Sequence, residues 1–286
     1  MKTDNPFNLL MPAAMAKVAE DAGVYKASKH PLTTFFLAIT AGVFISIAFT
    51  FYITATTGSS ALPYGLSKLA GGFCFSLGLI LVVVCGADLF TSTVLIVVAK
   101  ASKRISWGQL ARHWINVYIG NLFGALFFVG LIWFSGEHML ANGGWGMNVL
   151  QTADHKMHHT FVEAVVLGIL ANLLVCLAVW MSYSGRSLTD KTIAMILPVT
   201  MFVSSGFEHS IANMFMIPLG IVIKNFASPE FWQLAGISAD QFPSLTPGHF
   251  ILNNLIPVTL GNILGGGLLV GLTYWMIYLR NEGVRQ

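Results

Sequence analysis

Six apolar runs, each long enough to cross a lipid bilayer, dominate the sequence. They lie near residues 33–54, 66–99, 110–135, 160–184, 191–224 and 250–279. A membrane-spanning helix needs about 20 apolar residues. Charged residues make up 9% of the chain, against roughly 25% in soluble domains, so a soluble fold could not bury this much apolar surface. We therefore predict an all-α membrane protein with six transmembrane helices.

The second and fifth runs are longer than one span needs, and each is interrupted at its centre. The second contains VVCGADLFTSTVLI, with Gly86 and Asp88, and the fifth contains SSGFEHSIANMFMI, with Gly206, Glu208 and His209. An ionisable group is costly in hydrocarbon and usually has a function there. We predict that each of these two spans is a helix, a short break and a second half-helix.

The two halves of the chain share a pattern. GNxxG occurs at 120–124 in the third run and at 261–265 in the sixth. Three spans per half is an odd number, so the second half is predicted to be an inverted copy of the first. Glycines four residues apart allow close helix packing, and the amides of Asn121 and Asn262 are predicted to tie the broken backbone of their own repeat.

The acids at the two breaks have two interpretations. Inverted repeats with broken helices place half-helix ends near the middle of the membrane. Asp88 and Glu208 are predicted to accept hydrogen bonds from the free N–H groups of the second half-helices, as capping residues do. The alternative is that either acid faces the substrate, where its charge would repel anions.

The positive residues predict the orientation. Of 15 Lys and Arg residues, all but Lys68, Lys156 and Lys224 fall on one side of the predicted spans. Positive residues are enriched in cytoplasmic loops, so both termini are predicted to be cytoplasmic. The net charge of +3 does not indicate a nucleic-acid partner. The three cysteines lie in apolar runs without CxxC spacing, so neither a metal site nor a disulfide framework is expected.

We divide the chain into an N-terminal cytoplasmic segment (1–30), a six-span domain (31–280) and a cytoplasmic tail (281–286). The six-span domain holds the two repeats, at about 31–135 and 160–280. The N-terminal segment has apolar residues at helical spacing, which predicts an amphipathic helix with Met15, Val18, Ala19 and Ala22 on one face. This helix is either an anchor on the membrane surface or a gate, and the sequence leaves both open. No apolar core of a cleavable signal follows MKTDNPFNLL.

Two segments carry a resemblance to a known family. VVCGADLFTS (83–92) and GILANLLVCLA (168–178) resemble the two signature segments of the formate/nitrite transporter family, and the resemblance extends over essentially the whole chain. It implies an aquaporin-like protomer in a homopentamer of the bacterial inner membrane, with one pore per protomer. The implied function is a channel or transporter for formate and similar small monovalent anions, bidirectional and pH-dependent. It implies neither an enzyme nor a cofactor.

The resemblance also implies which residues line the pore. Two apolar constrictions are expected, with Phe75 and Phe202 on the periplasmic side and Leu79, Leu89, Phe90 and Val175 on the cytoplasmic side. Thr91 and His209 would face each other between them. Three further residues are implied: Lys156 and Asn213 as polar surroundings, and Asn262 as a support for the loop after the break in span 2.

His209 is the histidine at midspan beside a break, and it is our strongest candidate. It would supply a passing anion with either a hydrogen bond or a proton, the second giving proton coupling. Lys156 either recruits anions or pairs with Asp154 or Glu163 at the surface. The nearest alternative function is a proton-coupled secondary active transporter of nitrite or other short weak acids. A haem-bearing redox subunit would need a second deep histidine. The family also suggests a contact between the N-terminal segment and pyruvate formate-lyase.

Overall fold

The computed structural model describes residues 9–280, and every regular element in that range is a helix or a helical turn. In chain order the helices are α1 (Pro12–Ser28), α2 (Pro31–Thr56), α3 (Tyr64–Val84), α4 (Phe90–Ala101), α5 (Trp107–Ser135), α6 (Gly144–Met157), α7 (Phe161–Ser184), α8 (Leu188–Ser204), α9 (Ser210–Phe226), α10 (Pro229–Ala235) and α11 (Pro247–Tyr278). The predicted tail and the first eight residues of the predicted N-terminal segment lie outside the described residues.

The helices match the apolar runs of the sequence. Five of them, α2, α3, α5, α7 and α11, are long and apolar enough to cross a bilayer. The second run is covered by α3 and α4 and the fifth by α8 and α9, with five residues between the members of each pair. The all-helical membrane fold and the interruption of these two runs are therefore confirmed. Helix α10 bends away from α9 by 110°, and α6 and α10 lie in segments for which no helix was predicted.

Glycines allow the long helices to touch backbone to backbone. A Cβ atom on Gly124 of α5 would lie 2.0 Å from the carbonyl oxygen of Ile39 in α2. A Cβ atom on Gly265 of α11 would lie 2.2 Å from the carbonyl oxygen of Ile169 in α7. No side chain fits at either position, which is the close packing that small residues provide in membrane helices. The glycines of both GNxxG segments thus hold α5 against α2 and α11 against α7.

Helix α1 packs on the protein along a stripe of small residues. Ala16, Ala19, Gly23 and Ala27 are buried on one face, and a Cβ atom on Gly23 would lie 2.9 Å from the Cβ of Ala99 in α4. The helix therefore rests against the C-terminal half of the broken second span. It also contacts α5, α7 and α11.

Candidate functional site

The chain turns at a glycine in each break. Gly86 has φ +82° and Gly206 has φ +72°, a left-handed conformation that costs little only for glycine. The turns end α3 and α8, and after them the chain starts new helices at Phe90 and Ser210. Each break thus leaves unpaired backbone groups inside the protein, which must find partners there.

Asn121 supplies those partners at the first break. Its Oδ1 accepts a hydrogen bond from the N–H of Phe90 at 2.9 Å. Its Nδ2 donates to the carbonyl oxygens of Ala38 at 2.7 Å and of Asp88 at 3.0 Å. One amide from α5 therefore joins α2, the break and the start of α4.

Asn262 makes the equivalent set of bonds at the second break. Its Oδ1 accepts from the N–H of Ser210 at 2.9 Å, and its Nδ2 donates to the carbonyl oxygens of Gly168 at 2.9 Å and Glu208 at 3.0 Å. Its assignment to the loop after the break in span 2 is therefore wrong. Asn262 lies on α11, beside the break of its own half of the chain, and the loop in span 2 is held by Asn121.

The capping role predicted for the two acids is also wrong. The carboxylate of Asp88 points to the lysines at the end of α1 and just after it, 2.9 Å from Nζ of Lys29 and 3.1 Å from Nζ of Lys26. A buried carboxylate is charged and needs a counter-ion, whereas a neutral N–H group needs only a hydrogen-bond acceptor. The first N–H of α4 instead donates to the amide oxygen of Asn121. This amide is neutral, so it can be buried without a counter-ion.

Glu208 is held in the same way from the other side. Its Oε1 lies 2.8 Å from Nζ of Lys156, and its Oε2 accepts from the amides of Asn213 at 2.6 Å and Asn254 at 3.3 Å. Lys156 thus pairs with neither of the surface acids considered as alternatives. The amide of Asn213 is used by this network, and His159 adds a ring nitrogen 3.7 Å from the same carboxylate.

His209 joins the two broken spans. Its Nε2 lies 2.9 Å from Oγ1 of Thr91, as the family resemblance implied, and its Nδ1 accepts the N–H of Ala212 at 3.0 Å. Because Nδ1 is an acceptor, the ring proton of the neutral imidazole is on Nε2 and is donated to Thr91. The hydroxyl hydrogen of Thr91 is then left for another acceptor. His209 also caps the start of α9, the role predicted for Glu208.

A cavity of about 430 Å³, the Lys156 vestibule, reaches His209 from one side. Its lining includes Lys156, Lys68, Phe75, Phe202 and His209. The rings of Phe75 and Phe202 meet edge to face with centroids 6.0 Å apart, and Phe202 stacks on His209 at 5.8 Å. The basic vestibule therefore narrows between two aromatic rings, with His209 next to them.

A second cavity of about 410 Å³, the Lys26 vestibule, lies on the other side. Lys26, Lys29, Asp88, Val82 and Ser92 are among its lining residues. Phe75 borders the first vestibule and Val82 the second, seven residues further along α3. At 1.5 Å per residue, the layer between the vestibules is about 10 Å thick.

The residues expected at the cytoplasmic constriction are all buried. Leu79, Leu89, Phe90 and Val175 are each at most 3% exposed, and they line neither vestibule. Leu79 lies between Phe75 and Val82 on α3, whereas the ring of Phe90 packs edge to face on Tyr118 of α5 at 4.8 Å. A layer that contains these apolar side chains together with Thr91 and His209 thus separates two basic vestibules.

This arrangement agrees with the comparison to known families. The formate/nitrite transporter family model matches residues 13–276. The chain belongs to the formate/nitrite transporter family. The predicted membership is confirmed along nearly the whole of the described chain.

Individual members of the formate/nitrite transporter family are closely similar to this chain in sequence and in structure. The chain is 77% identical to the formate channel FocA of Escherichia coli K12, over 99% of each chain, and 53% identical to that of Haemophilus influenzae, over 92% of each. A solved structure described as a pentameric formate channel with formate bound has a TM-score of 0.84 at 55% identity, covering 87% of this chain and 98% of that one. A second solved structure, described as an ion channel of the FNT family, has a TM-score of 0.77 at 26% identity and covers 92% of this chain and 98% of that one.

Several residues of the site were not predicted from the sequence. From the sequence, Lys26 and Lys29 indicate only the orientation of the protein, and Asn254 has no predicted role. All three act on an acid at least 46 positions away in the chain. The available signal for Asn254 was the pair of amides at 253–254 inside the apolar sixth run.

Proposed function

We propose that this protein is a membrane channel for formate and similar small monovalent anions. The observation that carries the proposal is the contact of Thr91 with His209, set between two basic vestibules and beside the apolar residues Phe75, Phe202 and Leu79. The close relatives described as formate channels support the same substrate. A hydroxyl donor at this depth suits a carboxylate better than a cation or a neutral solute.

The proposed path begins in a vestibule, where lysines favour an anion, and continues between Phe75 and Phe202. Narrow apolar necks exclude water and gate by dewetting. At the neck the anion meets the Thr91 hydroxyl, whose hydrogen is free to be donated because His209 already donates to its oxygen. His209 in this arrangement is a hydrogen-bonding group, since a charged ring would turn an Nδ1 hydrogen toward the N–H of Ala212.

We further propose that five copies assemble in a bacterial inner membrane with both termini in the cytoplasm. The pentameric relative supports the assembly, and the distribution of Lys and Arg supports the orientation. In this orientation the Lys156 vestibule is periplasmic. The outer face of α1, where Tyr25 is 67% exposed, is available for the suggested contact with pyruvate formate-lyase.

The test is the flux of formate, nitrite and lactate into proteoliposomes at two pH values, with single-channel recording in planar bilayers. We expect formate to pass fastest, with unitary currents that rise with concentration. Thr91→Val, which keeps the shape but removes the hydroxyl, should lower formate flux strongly. Saturating flux without unitary currents would indicate the secondary active transporter instead. Absence of formate flux in the intact protein would refute the proposal.

A further inference from the structure

Lys68 lies at the mouth of the Lys156 vestibule and has no assigned role. It belongs to α3, one turn after Tyr64, and its Nζ lies 5.7 Å from the centre of the Tyr64 ring. It lines the Lys156 vestibule and also an adjoining cavity of about 380 Å³. The two cavities share further polar side chains, among them Asn148, Gln151 and Thr152.

The charge of Lys156 is balanced within the vestibule. Its ammonium lies 2.8 Å from the carboxylate of Glu208, so the pair has no net charge. His155 also lines the vestibule. Burial lowers the pKa of His155 below its ordinary value, and the charge of Lys156 acts in the same direction.

The charge of Lys68 is not balanced in this way. Among residues 9–280, none of the ion pairs involves Lys68. In the adjoining cavity Lys68 is the one charged side chain of the described lining. Among the Lys, Arg, Asp and Glu side chains of the described lining, the two cavities have Lys68, Lys156 and Glu208, so the charge of Lys68 is the one in excess.

The polar neighbours of Lys68 differ in whether their amides already donate hydrogen bonds within the protein. The amide of Asn148 donates to the carbonyl of Ile53 and the hydroxyl of Thr56, and its oxygen accepts from Thr152. Within the described part of the chain, the amide of Gln151 has no such bond, and the residue is exposed. An anion beside Lys68 therefore has a free cation and a neutral donor within the same shared lining.

We propose that Lys68 forms an outer recruiting site for small anions, which concentrates them before they reach the neck. The inference rests on the proposed anion-channel function and deepens it, because it moves the recruiting charge from Lys156 to Lys68. Fixed charge in a cleft raises the local concentration of the opposite ion. A unit charge about 10 Å from an anion in water changes that concentration about twofold.

The test uses salt screening to isolate the charge of Lys68. The Debye length is about 30 Å at 0.01 M salt and about 3 Å at 1 M. Single-channel conductance of the full-length protein is measured in sodium formate at both concentrations. We expect Lys68→Gln to lower conductance about twofold at the low concentration, Lys68→Glu about fourfold, and neither to lower it at the high concentration. Lys68→Arg should behave as the unchanged protein.

Lys224→Gln is the matched control. It removes the same charge from the same predicted side, but Lys224 lines neither cavity and its Nζ donates to the carbonyl of Leu245. The conductance of Lys224→Gln should equal that of the unchanged protein at both salt concentrations. The inference is overturned if Lys68→Gln conducts normally at low salt, if it loses conductance equally at both concentrations, or if Lys224→Gln has the same effect. A protein without any formate current would refute the channel function itself, and the recruiting site with it.

Discussion

The ammonium of Lys156 lies 2.8 Å from the carboxylate of Glu208, and the two side chains are only 13% and 2% exposed. The pair comes from α6 and from the break before α9, so it ties the vestibule wall to the broken span. Asn213 and Asn254 complete the carboxylate's hydrogen bonds. A buried ion pair of this kind is costly to break on one side only.

We therefore expect Lys156→Gln to destabilise the protein by about 3–5 kcal/mol, because Glu208 is left buried without a counter-ion. Combining it with Glu208→Gln should restore most of the loss, since both charges are then removed. Thermal unfolding in detergent measures the stabilities, and formate flux at matched protein amounts measures the effect on conduction. Equal destabilisation by the single and double changes would contradict the pairing.

The two asparagines at the breaks give a second prediction. Asn121→Ala leaves the N–H of Phe90 and the carbonyl of Asp88 without the amide that binds them, and it removes a second bond from the carbonyl of Ala38 inside α2. Each buried unsatisfied group costs about 1–3 kcal/mol, so we expect a loss of roughly 3 kcal/mol or more in unfolding free energy. Asn225→Ala is the control, because its amide makes one exposed bond within α9. Similar unfolding midpoints for the two variants would contradict the role of Asn121.

The positions of the breaks could be predicted from the sequence, but the partners of the groups inside them could not. Gly86 and Asp88 interrupt a run that is too long for one span, and that signal is local. The pairing of Asp88 with Lys29 joins residues 59 positions apart, with no spacing to reveal it. The capping prediction failed because sequence proximity favoured the acid, whereas in the fold an amide from α5 reaches the free N–H and the acid pairs with a lysine.

At the site, too, some features could be predicted from the sequence and others could not. Family resemblance identified Thr91 and His209 as facing residues, and their atoms are in contact. The tautomer of His209 depends on the N–H of Ala212, which points at Nδ1 only because α9 begins there. Such a detail depends on backbone direction at the break, which composition and periodicity do not encode.

The docking of α1 should depend on pH through Glu20. Burial raises the pKa of this carboxyl, but hydrogen bonds from Lys17 and Ser102 and the charge of Arg104 outweigh it, so its pKa lies below the ordinary 4.5. A carboxyl with a lowered pKa stabilises the folded state above about pH 4.5, and that contribution is lost as the pH falls through the folded value.

We accordingly expect α1 to become more accessible to protease and to hydrogen exchange as the pH falls below about 4.5. Glu20→Gln should weaken docking at neutral pH and remove most of the pH dependence. Glu230→Gln, on α10, serves as the control and should leave α1 unaffected. An unchanged acid response in Glu20→Gln would show that another group controls the docking.

Phe75 should determine which anions pass the neck. Its ring packs edge to face on Phe49 at 5.3 Å and on Phe202 at 6.0 Å. Phe75→Ala removes one wall, so the ratio of lactate to formate flux should rise several-fold, at a cost of about 3–5 kcal/mol in stability. Phe123→Ala removes a 58% exposed ring from α5 and should leave the ratio unchanged. A constant ratio in Phe75→Ala would place the size filter elsewhere.

The bond between His209 and Ala212 links any acid response of the channel to a movement at the start of α9. Charging the imidazole places a hydrogen on Nδ1, directly against the N–H that Nδ1 now accepts. The ring must then leave Ala212 or turn away from Thr91, and either movement changes the donor offered to an anion. Glu208, the residue before His209, is already paired with Lys156.

His209→Asn separates the two roles of the ring. Asparagine is a good N-cap residue, so its side-chain oxygen can still accept the N–H of Ala212 and α9 should begin normally. It cannot titrate, and it is too short to keep the contact with Thr91. Formate flux should vary with pH in the unchanged protein and lose that variation in His209→Asn, since the ring that can take up a proton beside Thr91 is then absent. His158→Asn, which alters a side chain 61% exposed to solvent, should keep the variation. If His209→Asn keeps it too, the acid response does not arise from the ring of His209.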